Sequence, residues 1–260
     1  MIHETSVVSK NAYVDPSNNI GPFCIIGDNV KIGKNNKLIS HVSIVGNTTI
    51  EDSNTFFPFC SIGSKPQDLK FNNETSYLEI GSNNKFRENV TVNPGTEGGG
   101  LKTKIKNNCL FMVGSHVAHD CKINSNVILA NNATLAGHVE IDDNAILGGN
   151  CAVHQFVKIG KYAMIGGMSG VEKNIIPYGL YLGIRENLKG INLIGLKRKG
   201  LSNSEINKIN AFIKNIFASE DTILNNLKKI EINNSITEIT EIIDFIIQNS
   251  KRGICTLENE

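Results

Sequence analysis

The chain has 260 residues, enough for one large domain or for one domain with a smaller companion. Its 26 basic and 25 acidic residues give a net charge of +1, so no basic field is present to attract nucleic acid or an anionic membrane surface. The first residues lack the apolar run of a signal peptide, and no run of eighteen apolar residues is available to span a bilayer. We therefore predict a soluble, cytoplasmic protein that binds no nucleic acid and has no transmembrane segment.

A period of six residues runs from the N-terminus through about two thirds of the chain. In the first register, a bulky apolar side chain occupies every sixth position from Ile2 to Ile62, and the same phase returns at Ile80. A second register, shifted by one residue, runs from Ile105 to Val171 without an exception. Because only 40% of the residues are hydrophobic, such runs do not arise by chance.

The position four residues after each apolar one holds a small or modest side chain. One large and one small inward position in every six do not match the 3.6-residue period of an α-helix. They match the hexapeptide repeats of a parallel β-helix, in which each short strand forms part of one wall. Five cysteines occupy the small position, and we interpret them as buried fillers: Cys24, Cys60, Cys109, Cys121 and Cys151.

Gly and Asn recur between the apolar positions, and both tolerate the left-handed backbone that tight corners need. The pairs that suggest such corners are Ile26-Gly27, Ile32-Gly33, Ile159-Gly160, Asn35-Asn36 and Asn131-Asn132.

Two segments interrupt the repeat. Residues 64–78 preserve its phase, whereas residues 94–104, which contain three consecutive glycines, shift the phase by one. We predict that both leave the coil as loops, and long loops on a rigid scaffold are common places for binding. The glycine run lacks a following Lys-Ser/Thr, so it is not a phosphate-binding loop of the nucleoside-triphosphatase type.

Beyond Pro177 the pattern becomes helical. Ser202 and Glu205 form a capping-box pattern that precedes apolar residues at helical spacing, and two further helical stretches follow near 221–230 and 235–250. We predict a β-helix over residues 1–185 and a C-terminal α-helical domain over residues 186–260.

Three hexapeptides make one turn of a triangular coil, so residues eighteen apart stack at the strand spacing of roughly 4.8 Å. Three of the six histidines then gather at one corner of three successive coils, with a carboxylate and an amide, and a fourth lies on the adjoining side. The cluster consists of His119, Gly137 and Gln155 in one column, Asp120, His138 and Phe156 in the next, His154 in the column before them, and His116 on the adjoining wall. A single histidine is usually a solvated turn residue, but this concentration indicates a site.

The chemistry of the cluster suits proton transfer. A neutral imidazole such as His119 accepts a proton from a hydroxyl group, and Asp120 beside it can orient the ring and stabilise its protonated form. The backbone N–H of Gly137 can bind a developing oxyanion. Since no Ser or Cys stands at the focus, direct transfer is favoured over a covalent intermediate.

Six segments also carry a resemblance to a known family. They are IGPFCIIG (20–27), SIGSKPQDLKF (61–71), GSHVAHDCKI (114–123), ILANNATLAGHV (128–139), AVHQFVKIG (152–160) and INLIGLKRKG (191–200). Together they resemble the UDP-N-acetylglucosamine O-acyltransferases of lipid A biosynthesis over nearly the whole chain. The combination of HVAHDC, LANNATLAGHV and VHQF is specific to that family, whereas isolated hexapeptides are not.

The resemblance implies a left-handed β-helix and a homotrimer with sites between subunits. It also implies transfer of an (R)-3-hydroxyacyl group from acyl carrier protein to the 3-hydroxyl of UDP-N-acetylglucosamine, with no metal or other cofactor. In that scheme His119 is the general base, Asp120 orients it and Gly137 N–H holds the thioester oxyanion. The other positions it implies are substrate contacts at Asp68, Lys70, His116, His138, His154 and Gln155, contacts near the nucleotide at Asn192 and Arg198, and a position that limits acyl-chain length at Gly167.

Two residues depart from the family pattern. Pro94 stands where the family usually has Arg, and Lys199 stands where a second Arg is common. Because Lys lacks the planar fork of Arg, we expect a weaker phosphate or carrier contact at Lys199. Neither change touches the proposed catalytic pair.

Three alternatives remain open from the sequence. An N-acyltransferase of the same pathway would carry an extra N-terminal uridine-binding domain, whereas the repeat here begins at Ile2. A hydratase on the same scaffold would bind zinc through three imidazoles at about 2.0–2.1 Å. A non-catalytic solenoid would only bind other molecules.

Overall fold

The computed structural model describes residues 1–183, 187–217, 221–229, 236–249 and 253–257. These residues form a left-handed parallel β-helix of three walls, followed by α-helices. The mainly β fold class is therefore confirmed. The predicted domain boundary, between residues 185 and 186, lies outside the described residues.

Each wall is a sheet of very short parallel strands, and neighbouring strands in a wall belong to successive coils. Wall 1 contains β1 (Val7–Val8), β4 (Ile25–Ile26), β7 (Ser43–Ile44), β10 (Ser61–Ile62), β13 (Thr91–Val92), β16 (His116–Val117), β19 (Thr134–Leu135), β22 (Ala152–Val153) and β25 (Gly170–Val171). Wall 2 contains β2 (Tyr13–Val14), β5 (Lys31–Ile32), β8 (Asn47–Ile50), β11 (Tyr77–Ile80), β14 (Lys102–Ile105), β17 (Lys122–Ile123), β20 (Glu140–Ile141) and β23 (Lys158–Ile159). Wall 3 contains β3 (Asn19–Ile20), β6 (Lys37–Leu38), β9 (Thr55–Phe56), β12 (Lys85–Phe86), β15 (Leu110–Phe111), β18 (Ile128–Leu129), β21 (Ile146–Leu147), β24 (Met164–Ile165), β26 (Gly179–Tyr181) and the antiparallel β27 (Leu188–Ile191).

The strand register confirms the predicted stacking. In the second register, for example, β18 pairs with β21 through Ile128 opposite Ile146 and Leu129 opposite Leu147, a separation of eighteen residues. The large apolar residue of each strand points inward, so the core is a stack of similar side chains. It includes the ring stack of Phe56, Phe86 and Phe111 on wall 3, in which successive ring centroids are 4.8 and 4.7 Å apart.

One inward corner of the N-terminal coils is a ladder of buried asparagines. The side-chain oxygens of Asn18, Asn36 and Asn54 each accept the backbone N–H of the asparagine one coil above, at 2.7, 2.8 and 2.9 Å. Asn84 continues the ladder to the N–H of Cys109 at 2.8 Å. The amide groups thus satisfy buried backbone donors that an apolar side chain of the same size leaves unpaired.

The corner glycines do not have the role that we predicted. Asn35 and Asn132 do adopt positive φ, at 56° and 58°, but Gly33 and Gly160 are not among the residues with positive φ. These glycines are needed for space, because a Cβ would lie 2.4 Å from the carboxylate of Asp52 at Gly33, and at Gly160 would lie 2.3 Å from a backbone nitrogen of the next coil.

The two interruptions of the repeat are loops, but both end earlier than we predicted. β11 already begins at Tyr77 and β14 at Lys102, since Leu78 and Thr103 both point inward and are fully buried. The second loop includes a 3₁₀ turn over Glu97–Gly99.

The C-terminal part contains helices, as predicted. The helices of the described residues are α1 (Leu193–Lys199), α2 (Asn203–Phe217), α3 (Ile223–Lys229) and α4 (Thr237–Asn249). Ser202 and Glu205 form the predicted capping box, in which the Ser202 N–H donates to the Glu205 carboxylate at 2.8 Å. The seven-residue α1 was not predicted. Each described helix is too short or too polar to cross a bilayer.

The helices close the end of the β-helix through polar contacts. Tyr178, beside the last coil, donates its hydroxyl to Glu241 on α4, and Lys161 forms an ion pair with the same carboxylate. Lys199 at the end of α1 pairs with Glu238 at 2.5 Å and donates to the Tyr178 hydroxyl at 3.1 Å. Lys199 is therefore held inside this junction.

All six cysteines are buried free thiols, so the filler interpretation of five of them is confirmed. Cys255, which had no assigned role, is also buried. Burial raises the pKa of the Cys60 and Cys121 thiols to about 12 and that of the Cys109 and Cys151 thiols to about 11. A thiol with a raised pKa carries little thiolate, the reactive form.

We expect a thiol-specific disulfide reagent at mildly alkaline pH to modify none of the six cysteines rapidly in the native protein, and all six in concentrated urea. Absorbance of the released chromophore measures both rates. The exposed substitution Asn11→Cys should add one rapidly reacting thiol as a positive control. Rapid modification of several thiols in the native wild-type chain would contradict the burial described.

Candidate active site

The predicted histidine cluster lies at the corner that joins wall 1 to wall 2, between β16 and β17. Asp120 and, one coil later, His138 occupy left-handed corner positions with φ of 60° and 62°. Asp, Asn and His are among the non-glycine residues that tolerate this conformation. His138 donates its backbone N–H to His119 O at 2.9 Å, and its ring stacks on Phe156 with centroids 4.2 Å apart. The predicted column is therefore confirmed.

His119 and Asp120 form a buried pair. The Nδ1 atom of His119 lies 2.8 Å from Asp120 Oδ2, and the Asp120 side chain is fully buried. Because an ionised carboxylate only accepts hydrogen bonds, this contact assigns the proton of neutral His119 to Nδ1. The Nε2 atom is then the one free to accept a proton from a substrate.

The loop over residues 93–101 holds the carboxylate of Asp120 from the other side. Thr96 donates its backbone N–H to Oδ1 at 2.9 Å and its hydroxyl to Oδ2 at 2.6 Å. Asp120 in turn donates its own N–H to the hydroxyl of Thr103 at 2.8 Å. Neither threonine was expected from the sequence: the path of the loop brings Thr96 to the carboxylate, whereas Thr103 points inward from β14.

Gly137 lies directly against the imidazole of His119. A Cβ at this position would be 2.4 Å from His119 Cε1 and 2.6 Å from Nε2, so only glycine permits this approach. None of the hydrogen bonds among the described residues uses the Gly137 N–H. The Gly137 N–H thus remains available, as the oxyanion hypothesis requires.

The first loop reaches the same corner. The carboxylate of Asp68 lies 4.0 Å from His119 Nε2. A cavity of about 260 Å³ opens beside the pair, and its lining consists of Asp68, Lys70, Glu74, Thr96, Glu97, Gly98, His138 and Phe156. Both predicted loops therefore meet at the histidine column and enclose a space that His138 and Asp68 line.

The two neighbouring histidines are biased toward the neutral form. Burial lowers the pKa of His138, an effect that the charge of Asp120 opposes. Burial also lowers the pKa of His116, which lies on wall 1 with Nδ1 2.7 Å from the hydroxyl of Thr91. Neutral imidazoles at these positions can donate and accept hydrogen bonds without adding positive charge next to His119.

Other predicted site residues lie away from this pair within one chain. His154 and Gln155 are exposed one coil beyond His138, and Gly167 is exposed at a different corner, where wall 3 meets wall 1. Asn192 caps α1 by accepting the Gly195 N–H at 2.9 Å. In the described residues no hydrogen bond or ion pair joins any of these to His119.

Two further positions, Arg198 and Pro94, differ in their exposure to solvent. Arg198 is exposed on α1, where it is available to a ligand. Pro94 is buried at the start of the second loop. At this position the departure from the family replaces a charged side chain with a packed one.

Three side chains of the site also have the chemistry of metal ligands. Donor atoms of His119, Asp120 and His138 lie within 4.8 Å of one another. However, Asp120 Oδ2 already contacts both the Thr96 hydroxyl and His119 Nδ1. A metal ion would have to displace those short contacts, so the arrangement favours proton transfer.

A left-handed β-helix of hexapeptide repeats with a buried His–Asp pair beside a loop-lined cavity defines a hexapeptide-repeat transferase. Residues 102–137 match the family model of bacterial transferase hexapeptide repeats, and residues 174–255 match the model of domain 2 of UDP-N-acetylglucosamine O-acyltransferases.

Individual relatives extend these matches to the whole chain. The chain is 48% identical to the acyl-[acyl-carrier-protein]–UDP-N-acetylglucosamine O-acyltransferase of Rickettsia canadensis over 99% of this chain and 98% of the relative. The solved structure of LpxA from Acinetobacter baumannii is 42% identical, with a TM-score of 0.94 over 97% of this chain and 98% of that one. The UDP-N-acetylglucosamine acyltransferase of Francisella novicida is 38% identical, with a TM-score of 0.94 over 100% and 95%. The chain belongs to the UDP-N-acetylglucosamine O-acyltransferase family.

Substitution Gly137→Ala should cut turnover strongly without unfolding the chain, because the added methyl group must displace the His119 ring that lies 2.4 Å away. Steady-state kinetics and thermal unfolding measure the two effects separately. The matched change Gly27→Ala meets its nearest atom at 3.3 Å, far from His119, and should leave turnover nearly unchanged. Wild-type turnover in Gly137→Ala would show that His119 tolerates displacement.

Proposed function

We propose that this chain transfers an (R)-3-hydroxyacyl group from acyl carrier protein to the 3-hydroxyl of UDP-N-acetylglucosamine, the first step of lipid A biosynthesis, with His119 as general base. The observation that carries the proposal is the buried His119–Asp120 pair, whose Nε2 atom points away from the carboxylate and lies beside Gly137. Family membership supports the choice of substrates.

The proposed mechanism needs no covalent enzyme intermediate. His119 Nε2 takes the proton of the sugar 3-hydroxyl while the oxygen attacks the thioester carbonyl carbon. The carbonyl oxygen becomes an oxyanion that the Gly137 N–H can stabilise. When the tetrahedral intermediate collapses, the C–S bond breaks and the imidazolium returns its proton to the departing thiolate of the carrier.

Asp120 supports both states of this base. The carboxylate fixes Nδ1 as the protonated nitrogen before the reaction and then stabilises the imidazolium. Asp68, at 4.0 Å from Nε2, adds negative charge on the opposite side of the ring. We propose Asp68, Lys70 and His138 as substrate contacts, because all three line the cavity and Asp68 also lies 4.0 Å from Nε2 of the base.

We further propose a homotrimer. A column of aromatic rings, Phe23, His41 and Phe59, stands exposed where wall 3 meets wall 1, with neighbouring centroids 4.9 and 5.1 Å apart. Beside it on wall 1, Val7 is 65% exposed and Ile25 50% exposed. Contiguous apolar surface of this kind is typical of protein–protein contacts.

A second copy would also bring further residues to the site. His154, Gln155, Asn192 and Arg198 are separated from His119 within one chain, and we propose that they contact the sugar nucleotide in the assembled trimer.

The cytoplasmic location remains a prediction.

Two related activities are tested by the same assay. An N-acyltransferase would prefer an acceptor with a 3-amino group, so turnover with both acceptors separates it from the O-acyltransferase. A hydratase would contain stoichiometric zinc and lose activity with a chelator. We expect activity with the 3-hydroxyl acceptor that a chelator does not reduce.

Substitution His119→Ala should lower acyl transfer by at least about 100-fold, because a positioned general base contributes roughly 10²–10⁴-fold to the rate. A discontinuous assay of acylated sugar nucleotide measures the loss, and size-exclusion chromatography checks assembly. His3→Ala, at an exposed histidine near the N-terminus, serves as the matched control. Turnover within a few-fold of wild type in His119→Ala would show that another group is the base.

Substitution Gly167→Met should shift preference toward shorter acyl chains, because an exposed glycine leaves room that a methionine side chain fills. The new Cβ would lie 3.2 Å from Gly149 O, a contact that a shift of a few tenths of an ångström relieves. Competition between carrier thioesters of different length measures the selectivity, with Asn11→Met as the control. Unchanged selectivity would remove Gly167 from the acyl site.

A further inference from the structure

The carboxylate of Asp120 stands between two imidazoles. Its Oδ2 atom lies 2.8 Å from His119 Nδ1 and 3.9 Å from His138 Nδ1. The two rings are edge to face with centroids 5.0 Å apart. A modest rotation of the carboxylate would therefore exchange one histidine partner for the other.

Thr96 opposes that rotation. It is buried, 4% exposed, and it contacts both carboxylate oxygens, with its N–H on Oδ1 at 2.9 Å and its hydroxyl on Oδ2 at 2.6 Å. Two donors on two oxygens fix the plane of a carboxylate as well as its position. The side chain of Asp120 has no exposed surface, so water does not compete for these bonds.

The loop that carries Thr96 is itself fixed in place. The carbonyl oxygen of Thr96 accepts the N–H of Leu101 at 2.8 Å, which closes the turn. The next residue, Glu97, donates its N–H to the carboxylate of Glu74 in the first loop at 3.0 Å. Gly99 packs so closely that a Cβ there would lie 2.0 Å from the carboxylate carbon of Asp120. The loop is thus shaped around the carboxylate.

We infer that Thr96 is a positioning residue, which assigns Asp120 to His119 rather than to His138 and so keeps His119 Nε2 as the unprotonated, proton-accepting atom. Thr96 acts through Asp120, because the Thr96 hydroxyl donates its hydrogen bond to Asp120 Oδ2. The inference rests on the proposed role of His119 as the base.

Substitution Thr96→Val tests the hydroxyl alone, because valine has a similar shape and keeps the backbone N–H. We expect kcat to fall roughly 10- to 100-fold, the effect of losing one hydrogen bond to a charged group, with KM nearly unchanged. Thr96→Ser, which restores a hydroxyl, should recover most of the activity. Thr96→Ala, which adds no atoms, replaces the valine variant if the latter fails to fold.

Two further measurements separate positioning from a general loss of stability. Nitrogen-15 NMR of the histidine side chains should show His119 protonated at Nδ1 in the wild type and a mixture of tautomers in Thr96→Val. In an Asp120→Ala background, Thr96→Val should cause no further loss of kcat, because Thr96 acts only through that carboxylate.

The control is Thr48→Val, which also removes a buried threonine hydroxyl. That hydroxyl donates to Val45 O at 2.7 Å, in a coil far from His119. Thr48→Val should lower the unfolding temperature but not kcat. Full activity in His119→Ala would show that His119 is not the base and would remove the premise of the inference, whatever Thr96 does. If His119→Ala is inactive while Thr96→Val keeps wild-type kcat and the wild-type His119 tautomer, the Thr96 inference alone is wrong.

Discussion

The fixed rise between coils is the constraint on which the structure depends. Parallel pairing of each strand with the strand one turn later places chemically different residues in straight columns, so neighbours in a column are set by sequence separation alone. His119 and Gly137 are neighbours for this reason, and the close approach of the Gly137 backbone to the imidazole follows from the same stacking. A solenoid of this kind gives a site on its corner a rigid support that loops alone do not provide.

This constraint explains which features the sequence predicted. The six-residue period fixed the walls, the inward fillers and the column of Asp120, His138 and Phe156, because each depends only on counting along the chain. The capping box at Ser202 was predictable for a similar reason, since its contacts join residues three apart.

The other features of the site and the loops could not be predicted by counting residues along the repeat. Thr96 reaches Asp120 through a loop whose path depends on contacts such as that between Glu97 and Glu74, and no period describes it. The loop ends were misplaced because an inward Thr103 looks like a loop residue in sequence although it is buried in a strand. The corner glycines were misinterpreted because backbone freedom and lack of a side chain are indistinguishable from sequence alone.

The buried carboxylate shows why the repeat is interrupted where it is. Burying an ionised group costs several kcal/mol unless hydrogen bonds replace its hydration. At the same corner two coils later, Phe156 is 51% exposed, whereas the loop of residues 93–101 covers Asp120 and supplies two donors from Thr96. With His119 Nδ1 as a third donor, three hydrogen bonds replace the hydration of the carboxylate. Because water does not screen its negative charge, the carboxylate interacts strongly with the imidazole. The break in the repeat is therefore what converts a stacked His–Asp corner into a shielded base.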